Sequence, residues 1–291
     1  GFSTLKKELQ SQNYESRNLS ILEEGKVPEV CSLLVVFGPT RALFDKEKQI
    51  LSDWLEHGGR ALFGLDPSIK GSDESADFKA LLATWFVEIK HNLVIDPTSR
   101  MLGANASVPL VGIYNKEHAV TKDYQVASLF PLASTIDAKS GAPSSLKLVW
   151  MAKSTPQSFA KNDFKEIATG KVSLDPKKDA AGPHVLMQSV EGSLKEDKKG
   201  SRPTRIIVMG TSQVASNRFV GHSGNLDLVM NSMSWLVDDD SLISIRAKEE
   251  SPTLPTLSQT GARIIQLLTM FFLPGGVLAA GIMMWLRRRK L

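Results

Sequence analysis

The 291-residue sequence predicts an α/β domain that is followed by a membrane-spanning helix at its C-terminal end. Three observations carry this. Leu33 to Phe37 is a continuous apolar run closed by Gly38-Pro39-Thr40, the pattern of a strand buried on both faces in a parallel sheet. A helical pattern and a second apolar strand, Arg60 to Leu65, follow it and complete a βαβ unit. Ile264 to Leu286 then runs for 23 residues without a charge and ends in Arg287-Arg288-Arg289-Lys290.

Each element has a local reason. Leu5 and Leu9 stand at i, i+4, so Ser3 to Gln10 starts an amphipathic helix, and Asn13 to Leu19 is expected to pass from helix to strand. Asp45 is a plausible N-cap for a helix whose inner face is Ile50, Leu51, Trp54 and Leu55, and His57-Gly58-Gly59 ends it. Asp66-Pro67 stops the strand after it. Ala76 to Phe86 reads as a helix with Phe78, Leu81, Leu82 and Trp85 on one face. Short strands are expected at Val87 to Ile89 and at Leu93 to Ile95, the second ending at Asp96-Pro97. Periodicity weakens from Thr98 to Ala142, which predicts an irregular insertion with its tip near Asn105. Ser145 to Trp150 and Pro183 to Val190 read as strands, joined by a polar stretch from Lys153 to Gly182. Lys195 to Gly200 reads as a solvated turn. Arg205 to Met209 is another buried strand, Gly210-Thr211-Ser212 its turn, and Asn225 opens a helix that turns Leu228, Val229, Met233, Leu236 and Val237 inward. Leu242 to Ile245 is expected as a last short strand.

The domain boundaries follow: an α/β domain over 1–250, a linker over 251–262, a membrane helix over 263–286 and a basic tail over 287–291. A helix rising 1.5 Å per residue crosses a hydrocarbon core of ~30 Å in about 20 residues. Short Lys- and Arg-rich ends stay in the cytoplasm, so the tail is expected inside and the main domain outside the cytoplasmic membrane. Pro274, Gly275, Gly276 and Gly281 are the candidate positions for packing against another membrane helix. Gly1 is no initiator and no signal peptide precedes the domain, so an upstream segment is expected.

Charge separates the two parts. Lys plus Arg number 35 and Asp plus Glu 31, but Arg263 and the tail hold five of the bases and no acids, leaving residues 1–262 at −1. The basic character belongs to the anchor, and no basic stripe interleaved with aromatics is present, so no nucleic-acid partner is expected. Cys31 is the single cysteine, which excludes an intrachain disulfide and any CxxC motif.

Candidate chemistry is sparse. Amidotransferase-type catalysis needs a cysteine on a strand-to-helix elbow with a histidine base, and Cys31 precedes its strand. Gly221-His222-Ser223-Gly224 misses G-x-S-x-G because Asn225 takes the last glycine's place, so a loop capped by Ser223 or Asn225 is expected. His57, His91, His118, His184 and His222 form no pair at ligand spacing, and neither a metal nor another cofactor is expected. No G-x-G-x-x-G or Walker motif occurs. Ligands in open α/β sheets bind beyond the carboxyl ends of strands, which makes Gly38, Pro39, Asp66, Ser212, Asn217 and Arg218 the candidate crevice.

Four stretches in order resemble a known family. VVFGPT…FDKEKQILSDWLEHGGRALFGLDP (Val35 to Pro67), DAAGPHVLMQSV (Asp179 to Val190), the stretch from Arg205 to Lys248 and the closing span with Pro274 are similar to the GldG-like auxiliary component of ABC transporters associated with gliding motility. The resemblance is weakest from Thr98 to Ala142. It implies a glutamine-amidotransferase-like α/β domain, a mostly parallel sheet with helices on both faces, held outside the membrane beside an ABC permease and its ATPase. Thr211 stands where that family often carries an acid in a Gly-Asp-Ser turn. The function expected is a non-catalytic accessory subunit that recruits an extracytoplasmic protein, glycan or other substrate. The alternatives are a membrane-anchored hydrolase or transferase on the same fold, told by a convergent nucleophile and base, and a stand-alone receptor, told by a deep polar pocket.

Overall fold

The computed structural model describes residues 1–69, 71–101, 103–168, 172–194 and 202–237, together with positions 270, 275, 281–285 and 287. The chain forms two compact units, Gly1–Arg246 and Ala247–Leu291.

The first unit is built on a seven-stranded sheet. Its strands are β1 (Leu34–Phe37), β2 (Arg60–Gly64), β5 (Leu110–Tyr114), β6 (Ser128–Leu129), β8 (Leu146–Ser154), β11 (Val185–Gly192) and β12 (Thr204–Met209), in the spatial order β1-β2-β12-β11-β8-β5-β6. Two small ladders complete the strands: β3 (Val87–Ile89) with β7 (Ile136–Ala138), and β4 (Leu93–Ile95) with β9 (Phe159–Lys161) and β10 (Ala180–Ala181). The helices are α1 (Ser3–Ser11), α2 (Ile21–Glu24), α3 (Asp45–Glu56), α4 (Ala76–Thr84), α5 (Pro97–Met101), α6 (Phe164–Ala168) and α7 (Asn225–Leu236).

The sheet is mixed. Parallel pairing, as the βαβ pattern predicts, joins β1 to β2 and β2 to β12. From β12 onward every pair is antiparallel, through β11, β8, β5 and β6. Residues 98–142, read from the sequence as an irregular insertion, therefore supply two strands of the central sheet. Their periodicity is weak because β6 is two residues long and β5 is broken by a register shift at Val111–Ile113.

Alternation along the parallel strands divides the core. Ala61, Phe63, Ile206 and Val208 face one way, onto Leu51 and Leu55 of α3 and Phe78, Leu81 and Leu82 of α4. Leu62, Ile207 and Met209 face the other way, onto α7 through Leu228, Val229, Met233 and Leu236 and onto α1 through Leu5. Helices thus cover both faces of this part of the sheet. Each fully buried Leu, Ile or Phe adds about 1.5–3 kcal/mol of transfer free energy, which outweighs the modest propensities of such short helices.

Several local expectations are corrected. β1 is not enclosed: it is the sheet's edge strand and Val35 is 37% exposed. Asp45 is the first helical residue and Phe44 the N-cap. The buried Glu47 carboxylate accepts the Phe44 N–H at 3.0 Å and a two-pronged ion pair from Arg41, both contacts 2.8 Å. Asn13 to Leu19 forms no strand; Asn13 turns at φ 63° instead. α3 does end at His57 and Gly58, and Gly58 is required there. Its φ is +88°, and a Cβ would stand 2.5 Å from the Arg202 carbonyl oxygen.

The turn at 195–200, the strand at 242–245, the linker, most of the 263–286 run and most of the basic tail lie outside the described residues. Among the described residues no helix is long and apolar enough to cross a membrane. Gly281 to Trp285 is helical, and Ile282, Met283, Met284 and Trp285 are each more than half exposed.

Candidate functional site

The carboxyl ends of the three parallel strands meet at one carboxylate. Asp66 follows β2, and its Oδ1 accepts the Ser212 N–H at 2.7 Å and the Thr211 hydroxyl at 3.1 Å. Its Oδ2 accepts the Ser212 hydroxyl at 2.7 Å and the Gln213 amide at 3.4 Å. Thr211 and Ser212 follow β12 and are buried. Gly38 follows β1 at φ +54°, where a Cβ would stand 3.0 Å from Ser212 Oγ and 3.2 Å from Asp66 Oδ2. The sequence thus leaves a glycine, an acid and two hydroxyls at the ends of adjacent strands, and the sheet draws them into one network. The network is inward-looking: four donors of the chain itself take up both oxygens of the carboxylate. Thr211, where an acid would have added a second negative charge beside Asp66, supplies a donor and also bonds to the Pro131 carbonyl at 2.7 Å.

Gly38, Asp66 and Ser212 are therefore brought together, with Pro39 next in the chain. Asn217 and Arg218 go elsewhere. Asn217 binds the N-terminal segment: its Oδ1 accepts the Thr4 N–H at 2.9 Å, its amide donates to Ser3 Oγ at 2.8 Å, and its N–H donates to the Gly1 carbonyl at 2.9 Å. Arg218 lies over the Phe219 ring at 5.3 Å.

The other sequence candidates take structural roles. Cys31 is half-buried and donates to the Leu33 carbonyl at 3.4 Å, and burial pushes its thiol pKa up, away from thiolate chemistry. His57 Nδ1 lies 2.6 Å from the Asp53 carbonyl at the end of α3. Ser223 donates to the Ala127 carbonyl at 2.7 Å, and α7 begins after Gly224 with no side-chain cap. Asn225 turns back to the loop before it, accepting the Leu129 N–H at 2.8 Å and donating to the Phe219 carbonyl at 3.0 Å. Among the described residues no group of three or more His, Cys, Asp or Glu is placed to hold a metal ion.

Three buried polar groups were not singled out as sites in the sequence. Lys161 on β9 is 1% exposed, and its ammonium contacts Glu166 at 2.6 Å, Asp179 at 3.2 Å and the Ser173 carbonyl at 3.3 Å, beside an open depression of about 610 Å³. The bond to Glu166 above all raises its pKa, so it stays an ammonium and not a nucleophile. Asp96, fully buried, accepts from the Thr98 N–H at 2.9 Å and the Thr155 hydroxyl at 3.0 Å. His118 stacks on Trp235 with centroids 4.8 Å apart, accepts the Val120 N–H at Nδ1 and leaves Nε2 buried without a partner. Burial lowers its pKa to about 4. No periodicity or motif marks these three, because their partners come from elements far apart in the chain or from irregular loops.

The arrangement is that of a mixed α/β domain whose strand-end carboxylate serves as a polar anchor. The chain belongs to the ABC transporter auxiliary family, described as an ABC-type uncharacterized transport system, whose model matches residues 3–232. No curated protein matches it. Among solved structures, the mmIFT52 N-terminal domain is similar in fold, with a TM-score of 0.58 and 16% identity over 81% of this chain and 90% of that one. A ThuA-like protein from Bacteroides uniformis aligns with a TM-score of 0.45 and 13% identity, over 80% and 82% of the two chains.

Proposed function

We propose that the protein is a non-catalytic, membrane-anchored subunit of an ABC transporter, whose α/β domain recruits a partner or substrate outside the cytoplasm. Membership of the ABC transporter auxiliary family is the observation that carries the reading. Two features support its parts. The Asp66 carboxylate is taken up by four donors of its own chain, the arrangement of an anchor and not of a base aimed at substrate. In the second unit, consecutive exposed apolar side chains from Ile282 to Trp285 leave the helix no polar face, which suits lipid and the surface of a permease. ATP hydrolysis then belongs to a separate subunit, and the gliding-motility type of system is the finer reading that the sequence resemblance favours.

The test compares the unaltered full-length protein with Gly275→Leu/Gly276→Leu in mild-detergent purification. The ABC permease is expected with the unaltered chain and at least tenfold less of it with the variant. Equal recovery from both contradicts the packing role of the glycines, and no permease with either contradicts the reading.

A further inference from the structure

α1 is nine residues long, too short to persist in water by itself, so its helical state comes from where it sits. Leu5 is 4% exposed inside the core cluster that contains Met209, Val214 and Leu228, and Phe2 and Leu9 pack against the same cluster. Phe2 meets Phe37 with ring centroids 5.4 Å apart. The anchors Phe2, Leu5 and Leu9 fall at i, i+3 and i+7, one face of a helix, while Lys6, Lys7 and Gln10 are exposed. No side chain of α1 caps its own start. Asn217 does so from outside, through its three hydrogen bonds to Gly1, Ser3 and Thr4.

We infer that the seat of α1 is a helix-recognition groove, filled in this state by the chain's own α1 and suited to an amphipathic helix of a partner protein. An apolar pocket that accepts anchors at i, i+3 and i+7, with a polar residue waiting at the helix N-terminus, is how proteins recognise helical segments in trans. The seat is made by the end of β1 and by the turn after β12, the two segments that also close on Asp66. A partner helix that takes the seat must present an aromatic residue, then leucine-sized residues three and seven positions later, with a free helix start against Asn217. α1 holds the place until such a helix competes for it. The inference rests on the recruiting role proposed above and names the chemistry of what is recruited.

The test keeps every residue of the protein. A protease site is inserted between the exposed Arg17 and Asn18 of the full-length chain, which is purified in detergent and cleaved. A fluorescent peptide with the sequence GFSTLKKELQSQ is then added, and its anisotropy is followed. The cleaved protein is expected to exchange α1 for the peptide, and the uncleaved one to bind at least tenfold more weakly. A peptide carrying Leu5→Ala and Leu9→Ala, or a protein carrying Asn217→Ala, should lower binding by about tenfold or more. Cleaved protein that stays folded without exchanging, or that unfolds on cleavage, makes α1 a fixed part of the core and overturns the inference. Either result leaves permease recovery untouched, so this inference and the accessory reading fail separately.

Discussion

At the scale of single residues, the molecule's polar groups are held by its own chain, and that makes their effects on stability predictable. Asp66→Ala would leave the Ser212 N–H, two hydroxyls and the Gln213 amide without their acceptor. Hydrogen bonds to a charged group contribute roughly 1.5–3 kcal/mol each, and water replaces part of that here, so a loss of about 2–3 kcal/mol is expected in urea unfolding. His118 gives a pH dependence. Its folded pKa of about 4 lies below the ordinary 6.5, because burial against Trp235 disfavours the imidazolium. The folded state then keeps the ring neutral, while the unfolded chain takes up a proton as pH falls below 6.5. Stability contributed by His118 is therefore complete above pH 6.5 and drains away down to about pH 4. The wild type should lose more of its thermal midpoint between pH 6.5 and 4 than His118→Phe; parallel losses would refute this assignment.

At the scale of elements, the sequence was most informative where one physical rule acted alone. β2, α3, α4, β4 and β12 lie within a few residues of their predicted ranges, since apolar periodicity and glycine stops specify each one locally. Gly58 is the sharpest case, and Gly58→Ala should cost about 2 kcal/mol or more in urea unfolding because it meets both a left-handed backbone and the Arg202 carbonyl. Less was legible where partners were remote. The edge position of β1 depends on which strand fails to appear beside it, and no property of Leu34–Phe37 announces that. Residues 98–142 looked irregular because β5 and β6 are short and staggered, although both belong to the main sheet. The candidate crevice was half legible. Strand-end positions located Gly38, Asp66 and Ser212, but strand ends cannot tell that Asn217 turns to the N-terminus or that Arg218 lies over Phe219.

At the scale of the whole molecule, the parallel part of the sheet connects two places. Arg60 at the start of β2 donates to the Leu236 carbonyl, and Arg205 near the start of β12 donates to the Trp235 carbonyl at 2.8 Å while lying over the Trp235 ring. The last turn of α7, after which the chain continues toward residues 264–286, is thus fastened to the same two strands that end at Asp66 and Ser212. Cations are favourable at a helix C-terminus, and here each also fills a carbonyl that the helix leaves open. Arg205→Ala should accordingly raise amide exchange in the last turn of α7 by tenfold or more, while exchange at α3 and α4 stays unchanged.

The most direct measurement of the accessory role is the composition of the complex that the tagged full-length protein brings out of its own membrane in mild detergent. An ABC permease and an ATPase subunit in a fixed ratio to this chain, unchanged from one detergent to the next, is the predicted result. The protein recovered alone in every detergent would contradict it.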